Sequence, residues 1–204
     1  MKLIGMLDSP YVRRCAISMK LMGVPFEHQP LSVFRTYDQF RAINPVVKAP
    51  TLVCDDGTVL MDSTLILDYV EERVVPEKRL MPASGATRRE ALRLHGLALA
   101  ACEKCVQVVY ENGQRPEEKR HQPWLDRVSA QASAAFAELE RAAAGAKPWL
   151  QGEALTASDV VVAVAWRFAQ FRLAREIPEA LYPALAAYSF RAETLPEFIA
   201  TPLD

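Results

Sequence analysis

The residues between the first two apolar segments, Asp8-Ser9-Pro10-Tyr11, leave the backbone little choice of path. Before them stands a short apolar run, Leu3-Ile4-Gly5-Met6-Leu7, and after them an amphipathic stretch ending near Gly23. A strand therefore stops and a helix starts within two or three residues. Ser9 is a preferred N-cap residue, and Pro10 suits the first helical position, where its missing N–H costs nothing. Such a turn presents a hydroxyl and several backbone N–H groups at the positive end of a helix, which favours a bound anion or thiolate. A cap with no further duty is the commoner use of a Ser-Pro helix start. The rest of the chain has to decide between the two.

The 204 residues, half of them apolar and 24% charged, suffice for one large domain or two small ones with real cores. A net charge of −1 gives no basis for a nucleic-acid or anionic-membrane surface. No apolar run approaches the ~20 residues that span a bilayer. The first residues enter a strand pattern directly and do not read as a signal peptide, so the cytoplasm is the expected compartment. Cys15, Cys54, Cys102 and Cys105 form no secreted disulfide pattern. Cys102 and Cys105 have redox spacing but fall mid-helix, away from the N-terminus where a dipole would lower a thiol pKa. Cys102 is in register with Leu92, Leu99, Val106 and Val109, which reads as core. His28, His95 and His121 lack metal-ligand spacing, and no metal site is expected.

Residues 2–7 read as a strand, 10–23 as a helix with Val12, Cys15, Ala16, Met19 and Met22 inward, 26–31 as a second strand and 36–43 as a polar helix ended by Asn44-Pro45. Asp55-Asp56-Gly57 between two apolar runs is a hairpin signal. Asp62-Ser63 opens a helix to about Arg73 with Leu65, Ile66, Tyr69 and Val70 inward. The pattern predicts a small mixed sheet with packed helices over 1–75. A linker follows at 76–87, then an all-α domain over 88–204. In that domain a helix spans 88–111, closed by Asn112-Gly113, and another spans 121–144. The capping box Thr156 to Asp159 starts a third helix, apolar on nearly every side from Val160 to Trp166.

Two further features of the first domain carry chemistry. Lys48-Ala49-Pro50 leads into the hairpin. Alone, it favours a trans proline at a strand start, whereas a cis bond would turn the Ala49 backbone outward to pair with a peptide-like ligand. Asp62-Ser63 lies at a helix start, where Ser63 and the backbone N–H groups suit a carboxylate and Asp62 an ammonium, together an α-amino-acid head group. Two helix-start residues with no ligand remain the simpler reading of that pair alone.

Taken jointly, Ser9-Pro10-Tyr11-Val12-Arg13-Arg14, Asn44 to Pro50, Asp62-Ser63, Trp149-Leu150-Gln151-Gly152 and the Thr156 box resemble the motifs of cytosolic, bacterial-type serine-containing glutathione transferases along essentially the whole chain. The resemblance implies an α/β thioredoxin-like N-terminal domain, an all-α C-terminal domain and a homodimer. It implies glutathione as co-substrate and conjugation of its thiolate to a small, largely apolar electrophile, a detoxifying transferase reaction. By the same resemblance Ser9 faces the glutathione sulfur as a hydrogen-bond donor. Ala49, before a cis Pro50, pairs with the cysteinyl backbone, and Asp62 and Ser63 take the γ-glutamyl group. Lys48 lies near a ligand carboxylate, and Arg35 is a weaker candidate for the glycyl carboxylate. The electrophile pocket is expected between the domains, with Tyr11 on one side and Tyr110 on the other. Trp166 either reaches that pocket or fills the core.

The chain departs from the family pattern in having Ala49 for the usual Val or Ile and Asp62 for the commoner Gln or Glu. The turn also lacks both cysteines of the Cys-Pro-Tyr-Cys motif of a related redox fold, and the Ser-Ser-Cys of the family's isomerase branch. Two other readings stand beside conjugation: a non-catalytic relative acting through a protein partner, and a glutathione-dependent reductase or peroxidase.

Overall fold

The computed structural model describes residues 1–203. The chain forms two compact units, one comprising residues 1–81 with the stretch from Thr194 onward, the other comprising Pro82–Glu193.

In the first unit the order is β1 (Lys2–Ile4), α1 (Pro10–Leu21), β2 (Glu27–Gln29), α2 (Tyr37–Ile43), β3 (Thr51–Val53), β4 (Val59–Met61) and α3 (Ser63–Glu72). The sheet order is β2-β1-β3-β4. β1 and β2 are parallel, joined by the crossover helix that parallel pairing demands, while β1–β3 and β3–β4 are antiparallel. This is the expected thioredoxin-like arrangement. Leu3 and Leu52 of the sheet bury against Val12, Cys15, Ala16 and Met19 of α1 and Ile66 and Val70 of α3. Leu65 departs from expectation, being 63% exposed. The buried face of α3 carries Ser63, Ile66, Leu67 and Val70, at helical spacings of three and four, and Leu65 falls off that stripe.

The second unit contains α4 (Gly85–Gln114), α5 (Gln122–Ala144), α6 (Ala157–Leu173) and α7 (Pro183–Glu193). α4 runs through Asn112-Gly113, where the sequence pattern predicted its end. The stop comes from Pro116, which disfavours helical backbone at the residue before it, and Arg115 is extended at φ −106°, ψ 133°. Arg120 also donates to the Asn112 carbonyl at 2.7 Å, serving one of the end carbonyls. The buried stripe of α4 is Ala91, Leu94, His95, Ala98, Ala101, Cys102, Cys105 and Val108. Cys102 is thus core, as expected, but Leu92, grouped with it on sequence, points outward.

α6 is buried along Val160 to Trp166 and forms the centre of this unit. Trp166 is only 2% exposed, with its ring edge-on to Phe136 at 5.6 Å and to Tyr182 at 5.5 Å. Of its two readings, core and pocket wall, the structure supports the core.

The last helix, α8 (Pro196–Ile199), groups with the first unit rather than with the helical one in which the sequence placed all of 88–204. Its anchor is Arg13, fully buried on α1. The Nε of Arg13 donates to the Thr201 carbonyl at 2.8 Å and its guanidinium lies over the Phe198 ring. A buried cation needs such partners to offset its desolvation, and those partners lie some 185 residues downstream in the chain.

Candidate functional site

The site is organised by the register of the sheet. Ile4 pairs with both Gln29 and Thr51, and Thr51 pairs with Met61. These four residues form one row at one end of the sheet. The segments running off that row are 5–9, 30–36, 48–50 and 62–63, so the three motifs singled out on sequence leave the sheet at the same end, and the loop bearing Arg35 leaves there too.

Gly5 lets two of them approach. Its φ is +139°, and a Cβ there would lie 2.6 Å from Val12 Cγ2 and 3.2 Å from the Ala49 Cβ. Only glycine accommodates both that backbone angle and that contact. The start of α1 therefore sits directly against the Ala49 loop.

Ser9 caps α1 with an extended backbone, φ −76°, ψ 122°, and Pro10 follows at the first helical position. Its Oγ accepts from the Val12 N–H at 3.5 Å, the long limit of a hydrogen bond. Among the described residues the hydroxyl donates to no acceptor. A half-buried hydroxyl held loosely as a cap, with its proton uncommitted, can serve as a donor to an anion at the helix N-terminus.

The Ala49–Pro50 peptide is cis. The Ala49 peptide groups stand just outside the ladder, which begins at Thr51↔Ile4. The loop is braced from beneath by buried Asn44, whose Nδ2 donates to Thr51 Oγ1 at 2.8 Å and whose Oδ1 accepts from the Val46 N–H at 3.0 Å. Thr51 Oγ1 in turn donates to the Lys48 carbonyl at 2.8 Å. Val47 adopts φ +53°, a left-handed angle that β-branched residues rarely take, and these bonds hold it there.

Asp62 caps α3, its Oδ1 accepting from the Thr64 N–H at 2.9 Å, with φ at +75°. Its other oxygen lies 3.6 Å from Lys48 Nζ, and both side chains are about half exposed. Such a pair contributes ~1 kcal/mol at most, so a ligand's charged groups can replace it at little cost. Ser63 is buried, and its Oγ accepts from Arg14 Nη1 at 3.1 Å; the same nitrogen donates to Thr64 Oγ1 at 3.3 Å. Arg14 has only donors. Its bond therefore orients Ser63 so that the serine's own proton is left to donate to a ligand oxygen.

Cys15, one and a half turns into α1, is no substitute nucleophile. Burial pushes its thiol up to about 12, and its Sγ lies against the Ser63 carbonyl at 3.7 Å. No cluster of three His, Cys, Asp or Glu able to hold a metal occurs among the described residues, and no helix there is long and apolar enough to cross a membrane.

Comparison with known proteins bears on this geometry. Residues 3–78 match the glutathione S-transferase N-terminal domain and residues 122–189 the C-terminal domain of that family. A glutathione transferase family member from Pseudomonas fluorescens, solved with bound glutathione, is 30% identical over 100% of this chain and 98% of its own, with a TM-score of 0.86. The chain belongs to the glutathione S-transferase family. Another such transferase, from Methylobacterium radiotolerans in complex with glutathione sulfonate, superposes with a TM-score of 0.90 at 28% identity over 98% of this chain and 93% of its own. The plant glutathione S-transferase U4 of Arabidopsis thaliana is 34% identical over 71 residues, 35% of this chain, and the match spans about a third (32%) of that relative's length.

Within this glutathione S-transferase fold, the expected site residues fall into two groups. Ser9, Lys48, Ala49, Pro50, Asp62 and Ser63 gather at the one sheet end. Arg35 does not join them by any contact among the described residues. It sits exposed in the loop before α2, its backbone N–H donating to Ser32 Oγ at 3.1 Å. Tyr11 is half-buried in the first turn of α1, and Tyr110 is exposed near the end of α4. Sequence reasoning missed Arg14, Asn44, Thr51 and Gly5 as contributors. Only Gly5 carried a readable signal, a glycine inside a strand pattern just before a turn.

Proposed function

We propose that the chain binds glutathione at the sheet end bearing Ser9, Ala49, Asp62 and Ser63, and adds its thiolate to a small electrophile. The observation that carries this reading is the Ser9 hydroxyl. It caps α1 only weakly, leaves its proton uncommitted, and stands on the helix that Gly5 seats against Ala49. The related transferases solved with glutathione and with glutathione sulfonate support the choice of ligand. Asp62 and Ser63 take the γ-glutamyl ammonium and carboxylate, with Arg14 orienting the serine. Lys48 offers its charge to a ligand carboxylate, and the Ala49 peptide pairs with the cysteinyl backbone. Four buried cysteines without a disulfide suit the reducing cytoplasm, where glutathione is held.

Calorimetric titration with glutathione tests the site. Asp62→Ala and Ser63→Ala each remove one charge-assisted contact, so affinity is expected to fall roughly ten- to a hundredfold, ~1–3 kcal/mol, with the fold intact. Unchanged affinity in both variants would place the amino-acid head group elsewhere.

The working form in this proposal is a homodimer. Leu94 and Val108, apolar residues of the long helix, are buried within the helical unit and cannot face a second chain. Leu97 and Leu99 of the same helix are half-buried, and with Leu65 on α3 and Leu92 on α4, 63% and 53% exposed, they remain for that contact. Sedimentation at micromolar concentration is expected to give twice the chain mass, and Leu65→Glu with Leu92→Glu to give the monomer. A monomeric wild-type protein would remove the dimer from the proposal.

A further inference from the structure

The helical unit carries a cavity of about 490 Å³ of its own, between the last turns of α4, the turn at 115–119 and the start of α5. That volume lies within the range of small-molecule pockets, ~300–1,000 Å³. Tyr110 and Trp124 both line it, and 45% and 41% of their surfaces stay in contact with water. Two large rings left half-wet at one cavity form a place where a flat apolar ligand gains by excluding that water.

The charges around the cavity fix what else the ligand carries. Glu111 lines the cavity but is already satisfied. Its Oε1 accepts from the His121 N–H at 3.0 Å, and Arg115 Nε lies 2.9 Å from the carboxylate. The His121 N–H and Arg115 hold its carboxyl below the usual carboxylate range, so it stays ionised and paired with Arg115. Lys119, the other cation lining the cavity, has no acidic partner among the described residues. Glu117 and Glu118 of the same turn are exposed and do not line it. With Glu111 balanced by Arg115, one positive charge is left over beside the rings.

We propose that this pocket selects planar aromatic compounds bearing a carboxylate or similar anion, the ring lying against Tyr110 and Trp124 and the anion at Lys119. Occupancy of this pocket does not depend on the transferase reading.

The test measures binding in the absence of glutathione, so that it stands apart from the sulfur site. Calorimetry with 2-naphthoate and with its neutral counterpart 2-naphthamide is expected to show naphthoate binding about three- to fivefold more tightly at low salt, the scale of one exposed ion pair, with the preference fading as salt rises. Lys119→Gln is expected to abolish the preference while leaving naphthamide affinity unchanged. Trp124→Ala is expected to weaken both by roughly tenfold, and Trp124→Phe to restore most of that loss. Equal affinity of the two probes for the wild-type protein, a preference that survives Lys119→Gln, or failure of both probes to bind would each overturn the proposal. Loss of glutathione binding with naphthoate binding intact would instead overturn the transferase reading and leave the pocket standing.

Discussion

Asp159→Ala is expected to destabilise the helical unit by ~3–5 kcal/mol, the scale of breaking a buried, fully partnered charge. The Asp159 carboxylate is fully buried and accepts four hydrogen bonds. Oδ1 takes the Leu150 N–H at 2.8 Å and the Tyr188 hydroxyl at 2.5 Å, while Oδ2 takes the Thr156 N–H and the Thr156 hydroxyl, each at 2.7 Å. Alanine would leave two backbone N–H groups and a buried phenol without acceptors, each costing ~1–3 kcal/mol. Asp159→Asn separates this network from mere packing, because it keeps the shape. Each carboxylate oxygen faces a backbone N–H, so the amide NH₂ opposes a donor whichever way it turns. Asparagine should therefore be nearly as damaging as alanine.

Burial, then the Asp159 charge, push the Tyr188 phenol above its usual range, so its proton stays in place to donate. A raised acid stabilises the fold below its unfolded pKa of ~10, and that contribution is lost as pH rises beyond it. Denaturant unfolding of the two variants beside wild type at neutral pH is the measurement. A loss below ~1 kcal/mol in both would mean that the four bonds contribute little beyond what water offers.

The Asp159 network also marks how far the sequence could be read. Thr156 and Asp159 were legible as a capping box because their spacing is local. Leu150 and Tyr188 were not, since nothing local says that an N–H nine residues before and a phenol 29 residues after share one carboxylate. The same division runs through the first unit. Strand, turn and helix at 2–21, the hairpin and the site motifs were visible in periodicity, turn chemistry and family resemblance. Arg14 stands in a motif read on sequence but received no role there, and only the fold brings it to Ser63, 49 residues away. Arg13 similarly holds a tail whose short Pro-punctuated helix gave no sign of which unit it joins. Errors of face had a simpler origin. Leu65 and Leu92 are apolar and fit an inward set by spacing with apolar neighbours, while the stripes the two helices bury leave them outside. At α4 two stop signals competed. Asn112-Gly113 is tolerated in a helix at ~1 kcal/mol, whereas Pro116 forbids the residue before it from continuing.

Ser9→Ala is expected to raise the pKa of the bound glutathione thiol by ~1–2 units and to lower turnover near pH 6.5 by roughly ten- to a hundredfold. A free thiol ionises near ~8.5, so making most of it thiolate at neutral pH requires a shift of ~2 units, or ~2.7 kcal/mol. A helix N-terminus supplies ~0.3–1 kcal/mol, and a hydrogen bond to an anion ~1.5–3 kcal/mol. The hydroxyl is therefore the larger of the two contributions, and removing it leaves only the dipole. Glutathione affinity should fall much less than turnover, because the γ-glutamyl and backbone contacts remain. Thiolate absorbance of the bound ligand, followed against pH, reads the shift directly. As the group is an acid whose pKa rises, activity lost near pH 6.5 should return as pH climbs past the new value. Ser9→Thr keeps a donor and should recover part of the shift. Ser9→Cys should divert the site to mixed-disulfide exchange, since a thiol at a helix N-terminus ionises readily. The cap contact is long, 3.5 Å, so the stability cost of Ser9→Ala should stay below ~1 kcal/mol, and melting curves measured alongside separate it from the chemistry. A well-folded Ser9→Ala protein with an unshifted thiol pKa would reduce Ser9 to a helix cap. The donor would then have to be sought at Tyr11, whose phenol is the other hydroxyl in the first turn of α1.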